Sequence, residues 1–126
     1  MEKLTDKKKI NATIFLFTVT YTVSYMTRIN LGAMITEIVA RTDMTKTMLS
    51  AAVTGSAVFY GFGQLLSGYI GDRVSPKRLV FLGLLVTAVM NLLIPLCGNH
   101  IQMAAVWCVN GLSQAFMWPP LVKLMV

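Results

Sequence analysis

Two apolar runs meet at a short charged hairpin, and that junction constrains the chain more than any other stretch. Between Met48 and Val126 charge is concentrated at Gly68-Tyr69-Ile70-Gly71-Asp72-Arg73-Val74-Ser75-Pro76-Lys77-Arg78, where four ionisable residues fall within seven positions. A long apolar run leads into this stretch and another leaves it, the pattern of two membrane-spanning helices joined by a polar turn. Pro76 keeps the incoming helix from simply continuing, and the glycines let neighbouring backbones come close. Lys and Arg in a short loop also fix sidedness, because they are retained on the cytoplasmic face.

Composition points the same way. The chain is 56% hydrophobic and 13% charged, with a mean hydropathy of +0.67, whereas soluble domains carry about 25% charged residues. The net charge of +6 does not read as nucleic-acid binding. The basic residues stand at the ends of apolar runs, not along an amphipathic or aromatic-interleaved surface. Cys97 and Cys108 lie in or beside apolar segments and read as small packing residues. No Cys/His spacing suggests a metal site, and His100, the only histidine, reads as a polar loop residue. No nucleophile–base pair argues for an enzyme, and nothing implies a cofactor.

Taken in order, residues 1–9 form a polar tail with Lys3, Lys7, Lys8 and Lys9. A signal peptide would begin this way, but the following apolar run outlasts a signal core and no small-residue cleavage site follows. The first span is therefore expected to be retained, over about 10–36. Tyr21, Tyr25, Arg28 and Gly32 follow an i, i+4, i+7, i+11 spacing and share one helical face. An arginine within a span is costly and marks a functional site facing the bundle interior, or else it snorkels to the surface. The two tyrosines on its face favour a lined cavity. Glu37, Arg41, Asp43 and Lys46 form a mixed-charge external link, with Thr45 as cap of a second span over 46–71. Gly63, Ser67 and Gly71, four apart, predict a small-residue stripe for tight helix packing. Tyr60 and Gln64, also four apart, are polar at mid-membrane depth and suit either a site or an interhelical hydrogen bond. The third span is expected over 79–97, with Asn91 as an interhelical hydrogen bond, then a Gly98-Asn99-His100 turn. The fourth is expected over 101–126, where Asn110, Gln114 and Trp118 share a face and Pro119-Pro120 kink the helix. Basic residues in the tail, the Arg73–Arg78 loop and Lys123 outnumber Arg41 and Lys46 on the other side, which places both termini inside.

Three stretches carry a family resemblance: Tyr21-x-x-x-Tyr25-x-x-Arg28-x-Asn30, then Tyr60-Gly61-Phe62 through Gly68 and Asp72-Arg73-x-x-Pro76, and finally Asn110-Gly111-x-x-Gln114 through Trp118-Pro119-Pro120. Together they resemble the organophosphate:phosphate antiporters of the major facilitator superfamily, which include bacterial glycerol-3-phosphate and hexose-phosphate permeases. The resemblance implies an all-α membrane protein of the bacterial plasma membrane, N-terminus cytoplasmic. Four helices here would open a twelve-helix fold whose inverted repeats surround a midplane site. It implies partners in the lipid bilayer, an organic-anion or phosphate-ester substrate, and further helices of the same transporter beyond this chain. Arg28 would be one of two arginines gripping the substrate phosphate, since a planar guanidinium bonds phosphate oxygens bidentately. Tyr21, Tyr25, Tyr60, Gln64, Asn110, Gln114 and Trp118 would line the site. Gly68, Asp72, Arg73, Lys77 and Arg78 would form the motif that holds and releases the cytoplasmic gate. Carriers of simple phosphate esters in that family tend to have lysine after the helix-1 arginine and lysine in helix 2. This chain has Ile29 and Gln64 there, which implies a less anionic or bulkier substrate than glycerol 3-phosphate. Ser75 replaces the usual loop glycine.

The chief rival is a complete four-helix protein such as a small multidrug exporter. Such exporters need a membrane-embedded carboxylate in helix 1, where this chain has Arg28. A membrane scaffold subunit would leave the Tyr–Arg face and Trp-Pro-Pro unexplained.

Overall fold

The computed structural model describes residues 6–125. The outermost part of the expected tail, residues 1–5 with Lys3, and the final Val126 lie outside the described residues. Within them are α1 (Lys7–Arg41), α2 (Lys46–Gly71), α3 (Pro76–Leu93) followed by a 3-10 turn (Ile94–Leu96), α4 (His100–Ala115) and α5 (Trp118–Met125). α2 and the unit from Pro76 to Leu96 are each long and apolar enough to cross a membrane.

α1 is longer at both ends than the sequence reading. Asp6 caps it by accepting a 3.0 Å bond from Lys8 N, so Lys7–Lys9 are helical, not tail. At the far end Glu37 and Arg41, expected in the link, form an i,i+4 ion pair at 2.6 Å within the helix, a spacing that supports helix. At 1.5 Å per residue its 35 residues cover about 52 Å, well beyond a hydrocarbon core of about 30 Å. Its hydroxyls satisfy themselves: Thr13, Thr18 and Thr22 each bond a carbonyl four residues back at 2.8–2.9 Å, which lets them sit in an apolar environment.

α2 starts where Thr45 accepts from Met48 N at 3.3 Å. Pro76 occupies the first turn of α3, where its missing N–H costs nothing. Lys77 and Arg78 are thus exposed residues of that first turn rather than of the loop. His100 is the first residue of α4, correcting its assignment to a loop. Asn99 caps it by accepting from Gln102 N at 2.8 Å, and Gln102 Oε1 accepts from Gly98 N at 2.9 Å. This is the reciprocal logic of a capping box.

The fourth apolar segment is one continuous span only in sequence. α4 stops at Ala115, and α5 begins at Trp118. Pro119 and Pro120 cannot donate to the carbonyls of Ala115 and Phe116, so the break falls before the prolines, and both then sit in the first turn of α5.

α2 and α4 pack most closely. Gly63, Ser67 and Gly71 are all buried, and a methyl on Gly63 would meet Ala115 Cβ at 2.5 Å and Leu112 Cδ1 at 3.0 Å. One turn of contacts further along, Gly111 lies against the backbone of Ser56. Gly68 behaves differently: a methyl there would meet nothing within 4 Å, so this motif glycine faces out of the bundle. The apolar core gathers at the end carrying the α1–α2 and α3–α4 connections, where Leu31, Leu49, Ala52, Ile94, Met103 and Trp107 are buried together. Elsewhere large apolar side chains such as Phe15, Leu65, Phe81 and Leu92 point outward, the inverse of a water-facing surface.

Candidate substrate-binding cleft

Because the core binds α1 to the bundle at only one end, a cleft of about 110 Å³ opens between α1 and the other helices. α1 contributes Thr20, Tyr21, Ser24, Tyr25 and Arg28 to its wall; α2 contributes Tyr60, and Gln114, Met117, Trp118 and Leu121 close the far side. The rings of Tyr21 and Tyr25 lie 6.2 Å apart at 26°, and Tyr21 reaches Trp118 at 5.3 Å. Trp118 is the first residue of α5, just past the helix break.

Arg28 extends across the cleft and stacks on Tyr60, its guanidinium carbon 4.0 Å from the ring centroid. A cation over an aromatic face is held through the ring quadrupole. The contact itself consumes no N–H donor, so the group is held beside the cleft with its donors available. Arg28 makes no ion pair with a carboxylate among the described residues. The arrangement is therefore a cation with available donors in an aromatic-walled pocket, suited to an anion carrying an organic body. On its other side Arg28 borders a second cavity of about 460 Å³ with Gly32, Val53, Ser56 and Trp107, so the fourth member of the Tyr–Arg stripe lines this space instead.

Two of the expected site residues are elsewhere. Asn110 is 1% exposed, packed between helices with neither amide atom hydrogen-bonded. Gln64 is half-buried, with its Nε2 likewise buried and without a partner. Neither lines the cleft: their faces turn into helix packing. Gln114 does line it, and its Nε2 donates to Thr27 Oγ1 at 3.4 Å. The sequence reading missed Thr20, Ser24, Val80, Met117 and Leu121, which share only their proximity to the helix break and the α1 stripe. Asn91 is an interhelical hydrogen bond as expected, accepting from Asn30 Nδ2 at 3.0 Å.

A comparison with protein families matches residues 17–126 to the model described as Major Facilitator Superfamily. The chain belongs to that superfamily. Among curated relatives it is 26% identical over 107 residues to a "Probable hexose phosphate transport protein" of Chlamydia pneumoniae, covering 83% of this chain and 23% of that protein. It is 28% identical over 105 residues to the "Membrane sensor protein UhpC" of Salmonella typhimurium, covering 83% and 24%. Against the "Glycerol-3-phosphate transporter" of Bacillus subtilis it is 27% identical over 85 residues, covering 64% and 19%. The chain thus spans about a quarter of the length of the curated relatives it matches most fully. No solved structure matches it significantly. An organophosphate-transporter-like major facilitator segment, all-helical and of the membrane, accounts for sequence, structure and relatives together.

The α2–α3 connection, where the resemblance implies a gating motif, is tied to α5. Asp72 caps α2 and pairs with Lys123 near the end of α5, whose Nζ also lies 3.4 Å from the Gly71 carbonyl. Hydrogen bonding and charge from Lys123 hold the Asp72 carboxyl below the usual carboxylate range. Arg73 turns the other way and stacks on Tyr69, 4.2 Å from the ring centroid.

Proposed function

We propose that this chain forms the first helices of a secondary transporter that binds an organic anion, most simply a phosphate ester, at Arg28, exchanges it for inorganic phosphate, and works by alternating access. The observation that carries the reading is the placement of Arg28: its guanidinium carbon sits over the Tyr60 ring at 4.0 Å and lines a cleft walled by Tyr21, Tyr25 and Trp118. A phosphate takes the edge through two parallel N–H···O bonds, and the aromatic wall takes the organic body. The opposing wall and second cation come from helices beyond this chain, consistent with its share of the relatives' length. Ile29 and Gln64 leave the half-site with the single charge of Arg28, which favours a substrate less dependent on charge than glycerol 3-phosphate.

The excess of basic residues around Lys7–Lys9, Arg73–Arg78 and Lys123 supports a cytoplasmic location for that end and insertion in a bacterial plasma membrane. Asp72 and Lys123 at the same end support a gating role for the loop. A second reading has its own support, because one relative is named a membrane sensor: the site would then bind the anion without moving it. Full-length protein in phosphate-loaded liposomes separates the readings. Uptake of labelled glucose 6-phosphate that requires internal phosphate supports exchange; binding without uptake supports the sensor; neither binding nor uptake of any phosphate ester overturns both.

A further inference from the structure

We propose that Asn91 is a positioning residue for Arg28: it pins the Thr27–Asn30 stretch of α1 and so sets the rotation at which Arg28 faces the cleft. Its consequence for substrate binding rests on the reading of Arg28 above, whereas the pin itself does not.

α1 is the loosest helix of the bundle. Leu31 is its one buried side chain among the described residues, and Ile14, Phe15 and Leu16 are exposed. Among these residues, the hydrogen bonds that join α1 to other helices all land on Thr27 or Asn30, which flank Arg28 in sequence. Asn30 Nδ2 donates to Asn91 Oδ1 at 3.0 Å; Asn91 Nδ2 reaches the Thr27 carbonyl at 3.4 Å; Gln114 Nε2 reaches Thr27 Oγ1 at 3.4 Å. Thr27, Asn30 and Leu31 stand at i, i+3 and i+4 and share the face turned to the bundle. Arg28 stands about 100° further round, so holding that face inward turns Arg28 sideways toward Tyr60 and the cleft. A slip of one residue's rotation would present Ile29 or Thr27 in its place.

Asn91 is itself held firmly. Its Nδ2 donates to the Thr87 carbonyl at 2.9 Å, and Thr87, 1% exposed, shares a 2.9 Å hydroxyl hydrogen bond with Ser113 of α4. The pin therefore runs from α4 through α3 to α1. An asparagine serves because one half of its amide accepts from α1 while the other donates to carbonyls of α3 and α1. Leucine fills the same space and does neither; aspartate keeps only the acceptor.

The test uses full-length protein with its native cysteines, including Cys97 and Cys108, replaced by alanine. A single cysteine is placed at Arg28 (Arg28→Cys) or on the opposite face at Met26 (Met26→Cys), and its rate of modification by a charged thiosulfonate is measured in liposomes. Cys at 28 is expected to react faster than Cys at 26. Adding Asn91→Leu should lower that ratio about fivefold, the population shift equivalent to one lost hydrogen bond, and Asn30→Leu should lower it likewise from the other side of the pin. Because modification is read as a rate, and both cysteine reporters are measured in the same Asn91 background, a lower folded yield does not enter the ratio. In the protein without introduced cysteines, Asn91→Leu should weaken glucose 6-phosphate binding by a similar factor, and should cause no further loss when added to Arg28→Lys. A changed ratio with an affinity indifferent to Arg28 leaves the pin standing and removes the anion reading. An unchanged ratio in both Asn91→Leu and Asn30→Leu overturns the positioning role, whatever the affinities do.

Discussion

Gly111 is where a single methyl group should do most damage. A Cβ there would fall on the Ser56 carbonyl oxygen and Oγ, with the carbonyl carbon 2.9 Å away. Two of these three atoms are backbone and cannot rotate aside, so α2 and α4 must separate. Replacing a helical glycine by alanine brings back up to about 1 kcal/mol of intrinsic helix preference. Overpacking a close contact costs about 1–3 kcal/mol, and a backbone obstacle puts this position toward the upper figure. The net expectation for Gly111→Ala is a loss of about 1–2 kcal/mol. Gly61→Ala is the matched control, because a methyl there meets nothing within 4 Å and the preference term acts alone. The assay is the temperature at which detergent-solubilised full-length protein loses its monodisperse peak. Gly111→Ala should melt several degrees below wild type, with Gly61→Ala at or above it. Equal melting of the two variants would refute the reasoning, since it would mean that α2 and α4 do not meet backbone to backbone at this height.

Tyr60→Leu should weaken phosphate-ester binding by about two-fold to thirty-fold, the range spanned by exposed to desolvated cation–π contacts. Tyr60→Phe, which keeps the ring, should lose much less, and equal losses in an equilibrium binding assay would deny the stacking role. Asp72→Asn should slow translocation more than it weakens binding, read as uptake rate against equilibrium affinity in the same liposomes; parallel losses would make Asp72 a substrate contact. The Asp72 carboxyl is held below its ordinary range by Lys123, so its contribution is complete above the unfolded-state value and fades only as pH falls through the lowered one. The difference between wild type and Asp72→Asn should therefore stay constant from about pH 8 to about pH 5 and shrink with added salt, as expected for an exposed pair. A difference that disappeared by mildly acidic pH would mean that Lys123 is not its partner.

Much of this architecture is written in local signals. Thr45 and the Gly63–Ser67–Gly71 stripe mark the start of α2 and the face it packs on α4, because a cap and a small-residue repeat are one-dimensional features. The Tyr21–Tyr25–Arg28 face is legible for the same reason, and the structure brings all three to one cleft with Tyr60, Gln114 and Trp118. The ends of α1 are less legible. Charge at Lys7–Lys9 and at Glu37 and Arg41 suggests tail and link, yet Asp6 and the i,i+4 pair extend the helix through both. Periodicity places Gln64 and Asn110 on polar faces but does not say which neighbour those faces meet, and close packing of α2 on α4 buries them away from the cleft. The position of the break at Phe116–Met117 follows from which carbonyls two prolines leave without donors, one turn before the prolines themselves. The partnership of Asn30 with Asn91 joins residues 61 apart, a pairing that no local pattern announces.

The central claim is that Arg28 grips an anion with the edge of its guanidinium, and Arg28→Lys tests it most directly. Lysine keeps the charge and the ability to snorkel but loses the planar fork. A charged hydrogen bond contributes about 1.5–3 kcal/mol, so losing one should weaken equilibrium binding of glucose 6-phosphate by about ten-fold to more than a hundred-fold. The measurement is that affinity in the full-length protein, wild type against Arg28→Lys, with membrane insertion verified for both. A drop within that range is the predicted result; an unchanged affinity in a correctly inserted Lys variant would contradict the account and take Arg28 out of the site.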